Sequence, residues 1–137
     1  MATRLTVTIP GPLPRELSPN ASWKVPEGMK TRLRHEMAEA WYWEALLAFK
    51  KTDTYAVSMD ALMPDGPVRC QITYYRPKGG KIQDGDNLLA TMKTGLDQLQ
   101  KVGVVANDRQ LVHQPVRQDR DPAGVGYLVV ELEGETT

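Results

Sequence analysis

Pro67-Val-Arg-Cys-Gln-Ile-Thr-Tyr-Tyr-Arg-Pro77 carries the clearest periodicity in the chain. In a strand, successive side chains point to opposite faces. Val68, Cys70, Ile72 and Tyr74 therefore share one face, and Arg69, Gln71, Thr73 and Tyr75 share the other. A proline stands at each end, where a residue that cannot donate to a ladder is tolerated. One apolar face requires a covering layer, and the neighbouring segments are read for what supplies it.

Upstream, Tyr55, Val57 and Met59 alternate within Thr54–Leu62, and Asp65-Gly66 supplies a turn, which predicts a hairpin with the 67–77 strand. Leu5-Thr-Val7-Thr-Ile9 predicts a further strand, stopped by Pro10-Gly-Pro12-Leu-Pro14 and a loop through Ser18-Pro-Asn20. Gly28 to Lys51 predicts a helix whose stripe is Leu33, Met37, Ala40, Trp41, Glu44, Ala45 and Leu47. Trp41 and Trp43 are read as core or dimer contacts in preference to base-stacking platforms.

Downstream, Pro77-Lys-Gly-Gly-Lys81 reads as a flexible basic loop. One helix is predicted over Asp86–Val102, with Leu88, Leu89, Met92, Leu96 and Leu99 on one face and Gly103 as its stop. Leu111–Val116 and Tyr127–Leu132 read as strands, joined by a turn over Asp119–Gly124. The order predicts one α+β domain over residues 1–137: a mixed, mainly antiparallel sheet with two helices, and residues 133–137 as a candidate mobile tail.

Composition sets bounds. At 137 residues, 41% hydrophobic and 25% charged, the chain has the size and make-up of one globular domain with its own core. The single cysteine, Cys70, excludes an intrachain disulfide, and its place on the apolar strand face predicts a buried thiol. No apolar run approaches the roughly 20 residues of a membrane span, and the first residues lack a signal-peptide core. These readings lead to the expectation of a cytoplasmic protein with no membrane partner. Formal net charge is zero, yet Arg69, Arg76, Lys78 and Lys81 fall within a stretch free of acids, and Lys24 and Lys30 open a second basic stretch. Such stretches can contact phosphate in a neutral chain, or can simply be solvated surface.

Chemistry concentrates in Lys81-Ile-Gln-Asp84-Gly-Asp86-Asn87, followed later by Asn107-Asp108-Arg109-Gln110. Carboxylates gathered at one place repel unless a cation sits between them, and their oxygens are the hard ligands that Mg²⁺ or Mn²⁺ takes. Asp is also a preferred helix N-cap, which accounts for one of Asp84 and Asp86 but not for the pair. A calcium loop of the EF-hand type is excluded, because Leu88 stands where the next oxygen ligand belongs. On a continuous helix Lys93 lies about two turns beyond Asp86 on the same face, in reach of a phosphate or paired with Asp97. Asp108 is either a third carboxylate of this site or a turn residue.

Asp84-Gly-Asp86-Asn87-Leu, a helix containing Lys93 and Leu96-Asp97, then Asn107-Asp108-Arg-Gln, together resemble the RusA family of Holliday-junction resolvases. Ile9-Pro-Gly-Pro and Leu17-Ser-Pro-Asn20 resemble that family's proline-rich opening, so the likeness spans about residue 5 to residue 132. The resemblance implies a Mg²⁺-dependent (or Mn²⁺-dependent) endodeoxyribonuclease, a homodimer that makes paired cuts in four-way DNA junctions in recombination and repair. It implies Asp84, Asp86 and Asp108 as metal ligands and Lys93 as a catalytic cation. The sequence departs from the pattern at Asn107, where the family has a second acid, at Gln83, where it often has a base, and in an extra helical turn before Lys93. Two rival readings remain: a catalytically degenerate branched-DNA-binding module of phage origin, and a structural dimeric domain with capped helices.

Overall fold

A computed structural model describes residues 2–21, 24–52 and 61–135. At its centre β2 (Val68–Arg76) lies between two neighbours in a mixed sheet. On one side β5 (Tyr127–Glu135) runs antiparallel to it, from Val68 opposite Gly134 to Tyr75 opposite Tyr127. The far edge of β5 pairs antiparallel with β1 (Ala2–Pro10), from Ala2 opposite Glu135 to Pro10 opposite Tyr127. On its other side β2 takes two short parallel partners in succession, β3 (Leu111–His113) and β4 (Arg117–Arg120). A parallel return needs a long crossover, and two helices supply it: α2 (Gly85–Thr91) and α3 (Lys93–Val102).

The long helix α1 (Glu27–Lys50) packs against α3 and lies across β1. Its buried residues Met37, Trp41, Ala45 and Phe49 recur every four positions. They meet Leu5, Val7 and Ile9 of β1, Val68, Cys70, Ile72 and Tyr74 of β2, and Leu128, Val130 and Leu132 of β5 in one core. Each such aliphatic side chain, fully buried, contributes roughly 1.5–3 kcal/mol. The protein is thus a small single-domain α+β fold, with a five-stranded mixed sheet and three α-helices among the described residues. Among the described residues no helix is long and apolar enough to cross a membrane.

Four expectations need correction. The single helix over Asp86–Val102 is two helices, broken at Met92, whose φ of −97° and ψ of 11° leave the helical region. A Cβ on Gly95 would lie 2.4 Å from the Trp41 ring, so α3 is seated flush on α1 by a residue with no side chain. Second, Arg117–Arg120 is a strand, although its Arg-Gln-Asp-Arg sequence carries no apolar alternation. It is a four-residue edge strand with little to bury. Third, residues 133–135 are not a mobile tail but the end of β5, held between Arg4, Thr3 and Ala2 on β1 and Arg69 and Val68 on β2. Fourth, Leu47 is 51% exposed, off the buried stripe, because that stripe follows the Met37-Trp41-Ala45-Phe49 row. Trp41 is core, whereas Trp43 is 53% exposed and meets Tyr42 edge to face. The expected strand at Thr54–Leu62 lies almost wholly outside the described residues. Its last residue, Leu62, donates its amide to the Gly103 carbonyl.

Candidate functional site

α2 begins at Asp84 for a local reason. The Asp84 backbone is extended (φ −63°, ψ 133°), and its carboxylate accepts the amides of Asp86 at 2.9 Å and Asn87 at 3.2 Å. This satisfies two of the amides that a helix start leaves unpaired. Both bonds fall on Oδ1, and Oδ2 takes no part in the cap. Asp86 stands exposed in the first turn, beside the same helix start. Asp84 and Asp86 therefore both stand at the start of α2, joined through the Asp86 amide.

It does not bring Asp108 to them. Asp108 opens a short 3-10 turn, Asp108–Gln110, and its amide donates to the Gln100 side chain at 3.2 Å, beside the last turn of α3. The ten residues of α3, about 15 Å along its axis, separate that point from the Met92 break. Among the described residues no group of three or more His, Cys, Asp or Glu could hold a metal ion. The neighbours of Asp108 have structural employment. Asn107 Oδ1 accepts the Arg109 amide. Gln110 Oε1 accepts the amides of Ala106 and Asn107, while its Nε2 donates to the carbonyls of Pro64 and Gly66. Lys93, exposed at the first position of α3, lies past the break, so the straight-helix argument that placed it above Asp86 no longer applies.

The basic residues divide. Arg69 and Arg76 point to opposite faces of β2. Arg69 is exposed, while Arg76 is 8% exposed and its guanidinium donates to the carbonyls of Asp119 at 3.2 Å and Gly80 at 3.1 Å. Arg76 thereby shapes the loop that follows it. Lys78 and Lys81 are exposed on that loop. The loop is steadied further where the Lys78 amide donates to the Gly124 carbonyl. Gly124 belongs to a turn organised by Asp121, whose carboxylate accepts the amides of Ala123, Val125 and Gly126. Those amides, Gly126 first, hold its pKa below the ordinary carboxylate value. Lys30 is nearly buried, and its ammonium is paired with Glu27 at 2.7 Å. Lys24 lies exposed just ahead of α1. Cys70 is buried, and burial pushes its thiol up to about 12, so it is an inert core residue.

Between the proline-rich loop after β1 and the loop after β2 runs a groove of about 830 Å³. Arg15, Asn20, Arg76, Lys81 and Gln83 line it, with Glu16 as the one acid, and Gln83 leads directly into Asp84. Two site features escaped the sequence. Arg15 stands alone among prolines with no patterned neighbour. Gln118 exchanges two hydrogen bonds with the backbone of Gln83. Neither residue type, at that position, carries a signal a single sequence can display. No protein-family model and no curated protein matches the chain.

Proposed function

We propose that this protein is a divalent-metal-dependent endodeoxyribonuclease acting on branched DNA, with the four-way junction as its substrate. One observation carries the reading: a groove bearing Arg15 and Lys81 is lined as far as Gln83, the residue next in the chain to Asp84 at the helix start that bears Asp84 and Asp86. Groove and carboxylates in that order suit a phosphodiester. The cations hold the backbone, and the carboxylates meet the phosphate to be cut. Mg²⁺ is commonly bound by one or two carboxylates, with waters and substrate phosphate completing its shell. Asp84 through Oδ2, together with Asp86, fits that requirement. When bound, the ion supplies an activated water and offsets charge on the leaving oxygen.

The remaining work falls to the chain itself. The Asp86 and Asn87 amides fix the Asp84 carboxylate in one orientation before substrate arrives. Arg15, Lys78 and Lys81 hold phosphates, so junction binding weakens as salt rises. Lys93 is the candidate cation for the phosphate being cut on the strength of the family resemblance alone. A homodimer would present two such sites to two symmetric strands. Sedimentation of the purified chain tests that arrangement.

The experiment that decides the reading uses a labelled four-way junction, with linear duplex as control, in Mg²⁺ and in EDTA. Wild type is expected to make paired, metal-dependent cuts, and Asp86→Asn to bind the junction without cutting. Cleavage by the variant at the wild-type rate would remove Asp86 from the site. A second reading, the non-catalytic branched-DNA module, is favoured by one fact: the described residues hold no three-carboxylate group. Junction binding with no cut, together with no heat of Mg²⁺ or Mn²⁺ binding at millimolar metal, would establish it.

A further inference from the structure

We infer that Gln118 is a positioning residue for the carboxylate pair: its side-chain amide, bonded in both directions to the backbone of Gln83, fixes where the Asp84–Asp86 helix start sits against the sheet. The inference rests on the proposed role of Asp84 and Asp86. From Lys81 to Asp84 the chain has no regular structure of its own, and Ile82 is 75% exposed, so no apolar side chain anchors the segment there. What anchors it is a pair of hydrogen bonds. The Gln83 amide donates to Gln118 Oε1 at 2.9 Å, and Gln118 Nε2 donates to the Gln83 carbonyl at 2.6 Å. Among the described residues no other hydrogen bond joins Lys81 through Asp84 to the sheet.

This is the pairing a neighbouring strand would give residue 83, made by one side chain instead. Gln118 is itself held rigidly. It sits in β4 opposite Tyr74 of β2, and Tyr74 is buried, with its hydroxyl accepting the Leu13 amide at 3.2 Å. A line of bonded groups thus runs from the core through β2 and β4 to Gln83, and the next residue is the capping aspartate. Gln118 touches no reacting atom. Its effect passes through backbone, as with groups that orient a metal ligand from behind. The side chain must both accept and donate, and must be long enough to span the gap from the strand edge. Glutamine meets these conditions, glutamate loses the donor, and alanine loses both bonds.

Two readouts test the assignment: amide hydrogen exchange of residues 81–88, and junction cleavage resolved into kcat and KM. Gln114→Ala is the control, since among the described residues the Gln114 side chain bonds only Val112 of its own edge segment, at 3.4 Å. Gln118→Ala is expected to speed exchange at Gln83 and the first turn of α2 about fivefold to tenfold, with β2 unaffected. It should lower kcat about tenfold to a hundredfold, with KM held within about twofold. Gln118→Glu should fall between Gln118→Ala and wild type in both readouts, and Gln114→Ala should match wild type in both. Unchanged exchange in Gln118→Ala would overturn the inference. So would raised exchange with unchanged kcat, because Gln118 would then hold a loop and not a site. If wild type cuts no junction, the nuclease reading falls, and exchange alone decides whether Gln118 fixes the helix start.

Discussion

A methyl group on Gly95 would lie inside the indole of Trp41. That single glycine sets how closely α3 approaches α1, since two ring carbons and the ring nitrogen of Trp41 fall within 2.5 Å of where a Cβ would stand. The ring is fully buried and cannot step aside cheaply. Gly95→Ala is therefore expected to destabilise by about 1–3 kcal/mol, although alanine is the better helix former. A thermal melt at fixed pH checks the sign: a midpoint equal to or above wild type would show that the contact can relax. Individual residues elsewhere were partly readable. Cys70 reads as a buried thiol from its strand face, and it is one. The positive φ of Gly103, 94°, is what ending a helix there requires. Arg69 and Arg76 read as one basic stretch, but alternation along β2 sends them to opposite faces, and only the fold shows that Arg76 spends its guanidinium on two loop carbonyls.

At the scale of elements, two loops make the groove, and neither is informative alone. Pro12–Ala21 follows β1 and Pro77–Gln83 follows β2, yet the sheet order places β5 between those strands and the loops meet over its end. Arg15 and Lys81 belong to opposite walls. Substituting either by Gln should weaken junction binding uniformly across DNA sequences, and should lower the slope of log K against log salt by about one. Titrations at several salt concentrations measure this, and an unchanged slope would take that residue out of phosphate contact. The crossover teaches the converse lesson. The apolar row Leu88, Met92, Leu96 and Leu99 is real and buried, and it predicts a helix correctly. A period cannot report a local departure from helical backbone, however, because Met92 keeps its buried side chain while its φ and ψ leave the helical region. β4 was missed for the opposite reason, since an edge strand with three exposed residues of four has no apolar period to read.

At the scale of the molecule, the open question is Asp108. Its own chain holds it beside Gln100, at the end of α3 remote from Asp84 and Asp86. If it serves the same reaction, a second copy must deliver it, and a two-fold dimer would do so twice. Co-expression of Asp86→Asn with Asp108→Asn tests this. Mixed dimers would then carry one intact site, and are expected to nick a junction that neither parent variant cuts. No nick from the mixture, with both parents inactive, would mean that each site draws all its carboxylates from one chain.

The α+β class, β1, β2, β5, the long helix and an aspartate cap within Asp84–Asp86 were all readable from residue order. Each rests on a period or a contact within a few residues, and local chemistry is what a sequence displays. The break at Met92, the edge strand β4, the two-walled groove, the Gln118 bonds to Gln83 and the separation of Asp108 from the other aspartates needed the folded chain. Each depends on which distant segments become neighbours, and that is settled by packing α1 against α3 and by the crossover that returns the chain alongside β2.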